Sequence, residues 1–330
     1  MLRCASSFVT AAYAKVGLIP QYSRALPLTV LRRHGANSFM DTELKKTTIK
    51  LRRIHTKRIT AAVRKLFIEA NRNLGPDVVC SLRSALKREE SPIGRQVLSK
   101  ILQNADIACR DAMPICQDTG LAVLFVEAGQ DVHIVGGSLH DALQEGVRQA
   151  YLEGYLRKSL CDPFTRTNTE DNTPAVIHTD IVPGNHLKII VMPKGGGSEN
   201  MGAARMLTPS AGIDGIKQFV LETVEKAGAN PCPPIIVGVG IGGSLEQACI
   251  LAKKALLREV GQKNQSDKRL AKLEKELFEN INKTGIGPAG MGGRVTTLGV
   301  HAEMTPCHIA SLPVAVNIQC HAARHREITL

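Results

Sequence analysis

Tryptophan is absent from the 330 residues, and Phe, Tyr and Trp together make up only 3% of the chain. Proteins that hold single-stranded nucleic acid stack bases on aromatic side chains. The formal net charge of +12 therefore has no stacking platform to work with. The densest basic run, Lys45 to Lys65, contains no Phe, Tyr or Trp. It reads as a solvated helix face or a surface for an acidic partner subunit, and no nucleic acid is expected. Also missing is any run of roughly 18–20 apolar residues, the length of a membrane-crossing helix, so no membrane association is expected either. No internal repeat, low-complexity linker or second-domain boundary is visible. With 43% hydrophobic residues there is ample material for one large core.

Acidic residues are missing from positions 1–40, which carry Arg3, Lys15, Arg24, Arg32 and Arg33 among apolar and small hydroxylated residues. Spaced basic residues without acids are the build of an amphipathic import segment, and a secretory signal would need a longer apolar centre. Residues 1–40 are thus expected to address the chain to the mitochondrial matrix, with a catalytic domain over 41–330.

The cysteines lack any C-x-x-C pair, so spacing alone marks no zinc site. Nine of them, widely spaced at positions 4, 80, 109, 116, 161, 232, 249, 307 and 320, do not make a disulfide framework in a chain with an import-like opening. Most read as small buried hydrophobes.

What is present is an alternation of strands and helices, which specifies an α/β fold with mixed sheet and helices in a single domain. LAVLFVEAG, HLKIIVMP, PIIVGVG, VTTLGVHAEM and LPVAVNIQC are apolar, β-branched runs read as strands. Helical periodicity runs through the 60s, through PIGRQVLSKILQNADIACRDA, and from Ser138 to Leu160 behind a hydroxyl N-cap. It returns in GIDGIKQFVLETVEKAG, in SLEQACILAKKALLREV behind a Ser244/Gln247 capping box, and over roughly Asp267 to Lys283. FTRTNTEDNTPA is a polar loop, and TGIGPAGMGGR a glycine-rich turn.

Three cysteines sit where a strand meets a turn: Cys116 in PICQDTG, Cys232 in NPCPPIIVGVGIGGS, and Cys320 closing LPVAVNIQC before HAARHR. A fold can gather their thiols, although their separation in sequence does not require it. Buried structural cysteines are the plainer reading of the residues alone.

PICQDTG, KGGGSEN, NPCPPIIVGVGIGGS, TGIGPAGMGG and HIASLPVAVNIQCHAAR follow one another in an order that resembles the α subunit, or N-terminal half, of the class I fumarase and L-tartrate dehydratase family of iron–sulfur hydro-lyases. The resemblance runs from about residue 41 to the end. It implies that Cys116, Cys232 and Cys320 hold a [4Fe–4S] cluster, three protein ligands leaving one iron open as a Lewis acid. It implies further that Gln117 and Asp118 line the substrate pocket, with Asp118 also able to move a proton. Arg157 would grip a dicarboxylate through its guanidinium fork, and His308 would be a catalytic pocket residue. Gly196 and Gly197, in the Gly195–Gly197 triplet, would let backbone approach the substrate. Cys109 and Cys307 are expected to be structural. SerGluAsn at 198–200 and the import-like opening favour fumarate hydration, a citric acid cycle step, over the alternative, L-tartrate dehydration. The resemblance implies a second, β-type half in the single-chain members, and with HREITL closing this sequence that half is expected on another chain. A separate β subunit, in an α2β2 assembly, is expected to complete the enzyme.

A rival reading comes from Gly238, Gly240 and Gly243, which spell G-x-G-x-x-G between a strand and a helix, with Glu259 further on. That is the context of a dinucleotide fingerprint and would suit an NAD-dependent dehydrogenase. Against it, CPP precedes the strand and no second nucleotide half follows. The glycines are instead expected to let the helix pack closely, with its N-terminal amides near an anionic cluster or substrate.

Overall fold

The computed structural model describes residues 51–330. The import segment expected over 1–40, with Cys4 in it, lies outside the described residues. The first half runs β1 (Arg52–His55), α1 (Thr56–Arg72), α2 (Pro76–Arg88), α3 (Pro92–Arg110), β2 (Leu121–Gly129), β3 (Val132–Val135), α4 (Leu139–Glu153), β4 (Val176–Val182) and β5 (Leu187–Lys194). The second runs from one-turn α5 (Gly196–Glu199) through β6 (Ala203–Leu207), α6 (Gly212–Ala227), β7 (Ile235–Ile241), α7 (Leu245–Ala255), α8 (Lys268–Lys283), β8 (Thr297–Met304) and β9 (Leu312–Gln319) to β10 (Arg326–Thr329). All of them belong to one compact unit, Ile49–Leu330. The expected mixed α/β class is what is found. Among the described residues no helix is long and apolar enough to cross a membrane.

Two four-stranded mixed sheets, ordered β10-β5-β2-β4 and β6-β9-β7-β8, carry the architecture, beside the small parallel pair β1-β3. Strand alternation sorts the core. In β2, Ala122, Leu124 and Val126 pack under α1 and α4, while Val123 and Phe125 face the other way, toward α2, α3 and Ile236 of the second sheet. In the second sheet Val237, Val239, Val314, Val316 and Ile318 pack with α6 and α8. The opposite face meets α7 so closely that a Cβ on Gly238 would sit 2.1 Å from the Ala252 carbonyl oxygen, and one on Gly240 1.9 Å from that of Ala248. Two glycines of the would-be dinucleotide fingerprint are therefore strand residues used to seat a helix. Moreover, β9 runs antiparallel to β7, unlike the all-parallel start of a nucleotide fold.

The helix expected from Ser138 to Leu160 stops at Glu153. The N–H groups of Tyr155 and Leu156 return to the carbonyls of Leu152 and Tyr151, and Tyr155 is left-handed at φ 53°. This is a Schellman ending with tyrosine where glycine is usual. Ser138, Ser91 and Asp267 cap their helices as their residue types suggest. Ser244 does not cap α7; its hydroxyl goes to Glu246 instead.

One clamp spans the chain. Glu89, 1% exposed, accepts hydrogen bonds from the backbone N–H groups of Glu90, Ser91, Arg294 and Val295. Burial opposes its ionisation, but those N–H groups outweigh it and hold the carboxyl below its ordinary value. Such a carboxylate contributes stability that is present above the unfolded-state pKa and lost as pH falls through the folded one. Glu89→Gln is expected to cost about 2 kcal/mol at pH 7. In thermal melts followed by circular dichroism, the variant should also lose less stability than the parent below about pH 4.5.

Candidate active site

The segments bearing Cys116, Cys232 and Cys320 are tied to one another by hydrogen bonds. The Cys116 turn follows α3 and is fixed at its start by the Ile115 N–H on the Asn71 carbonyl (2.8 Å). Its end is fixed by Gly120, left-handed at φ 84°, where a Cβ would lie 2.7 Å from the backbone nitrogen of Lys194. Arg324, 2% exposed, donates to the Asn71 side-chain oxygen (3.1 Å) and to the Asp118 carbonyl (2.9 Å). Four residues before Arg324 is Cys320, packed beside Ile115 and Ala322. The His321 ring then donates to the Cys232 carbonyl (2.9 Å). Cys232 sits at φ 54°, a strained position for a residue with a Cβ, which persists only where surroundings fix it. Here the Cys232 N–H is held by the Ala229 carbonyl, and the Pro233 carbonyl by the Ala289 N–H of the TGIGPAGMGG turn.

Strand register explains why two of these thiols share an edge. Ile236 pairs with Gln319 and Ile241 with Val314, so the entry to β7 and the exit of β9 meet at one end of the sheet. Cys116 and Cys320 are half-buried and Cys232 is exposed. Burial first, then the facing Cys320, Cys116 and Asp118, push the Cys232 thiol above its ordinary value. Crowding of anions around the Cys232 thiol is what a bound cationic metal relieves. Among the described residues no three His, Cys, Asp or Glu side chains close around a single ion. Gln319, next to Cys320, is 1% exposed with neither amide atom partnered among the described residues, and the Arg324 Nε is likewise unpartnered. Soft thiol donors bordered by buried, unsatisfied hydrogen-bonding groups fit an iron–sulfur group.

The expected pocket residues divide. Gln117 is exposed beside Cys116. Asp118 lies at the centre, its Oδ1 accepting the Gly120 N–H (3.0 Å) and its Oδ2 the Gly196 N–H (2.7 Å). The carboxylate met by the glycine triplet is thus the chain's own, while Gly197 remains exposed. Arg157 is exposed, beyond the end of α4, and its carbonyl accepts the Thr119 hydroxyl (2.9 Å), which fixes it to the Cys116 turn. His308 is not brought to the thiols of its own chain. It lies between β8 and β9, at the other end of the sheet and roughly 20 Å of strand away. There it borders a cavity of about 440 Å³ with Ile241, Met304 and Leu312. The start of α7 is at that far end too, following Ile241. The expectation that its amides face the cluster is therefore corrected. Cys109 is exposed on α3, and the Cys307 thiol donates to the Ser311 carbonyl (3.2 Å).

Several site residues were not read from the sequence. Tyr151, fully buried on α4, reaches the Thr119 and Gly120 carbonyls through its hydroxyl (2.9 and 2.7 Å). Asn172, also fully buried, reaches the Gly120 carbonyl (3.3 Å) and holds the Ser159 and Leu160 N–H groups. Lys194 is entirely buried; its ammonium donates to the Ser198 hydroxyl (2.8 Å) and pairs with Glu199 (3.3 Å). Burial lowers its pKa to about 8, against the opposing pull of Glu199 and Cys320. Its one signal in sequence is a lysine closing an apolar strand directly before three glycines.

Comparison with known proteins gives a family match over residues 60–329, to fumarate hydratase (Fumerase). A relative from Methanocaldococcus jannaschii, named "Putative L(+)-tartrate dehydratase subunit alpha", is 46% identical over 273 residues, 81% of this chain and 95% of the relative. The "L(+)-tartrate dehydratase subunit alpha" of Escherichia coli O157:H7 is 36% identical over 258 residues, 77% of this chain and 84% of that one. The protein of the same name from Shigella sonnei aligns at the same identity and coverage.

Arg324→Lys keeps the charge but loses the two-pronged reach from Asn71 to Asp118. Its expected cost is about 2 kcal/mol. Hydrogen exchange should locate the loss: amides of 115–120 exchange at least about tenfold faster, while those of α8 stay as in the parent. A uniform rise across the chain would show that Arg324 does not specifically hold this turn.

Proposed function

The chain belongs to the fumarate hydratase (Fumerase) family, whose members are hydro-lyases, and on that premise we propose that it is the α subunit of a fumarate hydratase completed by a separate β subunit. The observation carrying this reading is the joining of the Cys116, Cys232 and Cys320 segments around Asp118 through Arg324 and His321. The reaction is reversible hydration of fumarate to L-malate. Cys116, Cys232 and Cys320 would hold a [4Fe–4S] cluster, which when bound supplies a Lewis-acidic iron corner with no protein thiolate on it.

The chain's own side chains bind and orient. The Arg157 guanidinium suits a bidentate grip on the carboxylate remote from the reacting carbons, and the Gln117 amide can donate to the same end. With one N–H already on each oxygen, the Asp118 carboxylate is fixed in place. Its remaining lone pairs can accept a substrate hydroxyl or hold the proton exchanged at the adjacent carbon. Gly197 leaves room for close approach of the dicarboxylate. Positive groups set where negative charge grows in the transition state supply the differential stabilisation.

The names of the relatives favour a second reading, an L-tartrate dehydratase α subunit. The same names, attached to chains of similar extent, support a β partner, here proposed in an α2β2 assembly. Localisation in the mitochondrial matrix is part of the proposal, on the acid-free basic opening of residues 1–40.

Anaerobic co-purification with the β partner, followed by assays on fumarate, mesaconate and L-tartrate, tests substrate and assembly together. Fumarate should be turned over fastest, and the α chain alone should be nearly inactive. Cys→Ser at 116, 232 or 320 should remove iron and turnover together, while Cys109→Ser should keep both. Full activity from any of the first three would rule the cluster reading out.

A further inference from the structure

Lys194 is a charge without a balance. Its side chain is 0% exposed. Its one carboxylate partner among the described residues, Glu199, is shared with Lys253, which pairs with the other oxygen. Asn317 of β9 also donates to Glu199 (3.2 Å), three residues before Cys320. Two ammonium groups against one carboxylate leave a surplus positive charge. Removing an ammonium from water is costly unless it is paired, so a lone surplus cation needs an anion nearby. The Asp118 carboxylate is set beside a second buried cation, Arg324, which holds the same residue's carbonyl; the other nearby element that can become anionic is the thiol edge. Glu199 links Lys194 to the strand that delivers Cys320, and Gly120 of the Cys116 turn lies against the Lys194 backbone. The Ser198 hydroxyl accepts a hydrogen bond from the ammonium and donates one to the Gly195 carbonyl (3.1 Å). The same side chain thereby fixes the triplet whose Gly196 N–H holds Asp118.

We propose that Lys194 is a positioning residue for the thiol site: its buried ammonium is the counter-charge that retains an anionic iron–sulfur group beside Cys320, while through Ser198 it keeps the glycine turn on Asp118. This rests on the cluster reading above. Three thiolates on an iron–sulfide core leave the loaded site net anionic. Cluster potentials respond to net charge and to surrounding hydrogen bonds, and groups behind the ligands typically change metal affinity 10–100-fold when removed.

The test uses the anaerobically prepared α–β complex as parent, Lys194→Met and Glu199→Gln, with thermal melts to establish folding. Two quantities are read: the rate at which bathophenanthroline strips iron, and the cluster's reduction potential by electron paramagnetic resonance titration. Lys194→Met should lose iron at least about tenfold faster and move the potential downward. Glu199→Gln, which deletes the carboxylate shared by the two lysines, should move it upward. A residue that only supports the fold would shift both variants the same way or neither, and that result overturns the proposal. Should Lys194→Met fail to fold, an unmoved potential in Glu199→Gln overturns it alone. A parent complex that binds no iron sinks the cluster reading itself, which is a distinguishable outcome.

Discussion

Arg324 is the constraint on which the site depends. A guanidinium taken wholly out of water must spend its N–H groups on fixed acceptors. Those it finds are the side chain of Asn71 on α1 and the carbonyl of Asp118. Because Cys320 lies four residues before it, satisfying this one cation also fixes the exit of β9 against the Cys116 turn. Antiparallel pairing then brings in the third segment, since the entry to β7 lies beside the exit of β9. The joining of the three cysteine-bearing segments is thus a consequence of one buried side chain and one strand register.

Charge and geometry act together around this edge. Arg324 has only neutral acceptors among the described residues, and Lys194 shares its carboxylate with a second lysine. Three cations, Arg324, Lys194 and Lys253, stand against the two carboxylates of Asp118 and Glu199, which leaves the surroundings of this edge net positive and favours an anion there. The same groups hold backbone: Lys194 the glycine triplet, Arg324 the PICQDTG turn. The TGIGPAGMGG turn contributes from behind, with Ala289 holding the Cys232 loop and Glu89 clamping Arg294 and Val295. Function and fold draw on one set of contacts here, so a substitution in the set is expected to disturb both.

Much of the architecture was legible because period and length decide it. LAVLFVEAG matches β2 over all its residues, and Asp267 caps the charged helix α8. The misses have physical causes. β4 is a mostly exposed edge strand without strong alternation, and β10 an edge strand of only four residues. The end of α4 depends on Tyr155 accepting a left-handed conformation that no residue pattern announces. Asp118 and the cysteine turns were visible from motif chemistry, whereas Tyr151, Asn172, Lys194 and Arg324 act through long-range hydrogen bonds invisible to local spacing. The G-x-G-x-x-G pattern pointed to phosphate, yet Gly238 and Gly240 are small because α7 lies on them. His308 shows the converse limit: a residue placed by resemblance lies at the opposite end of its sheet.

The central claim, that sulfurs from three separate segments hold one cluster with a free metal corner, is most directly tested by Mössbauer spectroscopy. The sample is the anaerobic α–β complex loaded with iron-57, measured with and without L-malate. A spectrum in which one iron of the cluster is distinct from the others, and alone shifts when the hydroxy acid is added, is the expected result. Irons that are all equivalent and indifferent to the hydroxy acid, or a complex that retains no iron, would contradict it.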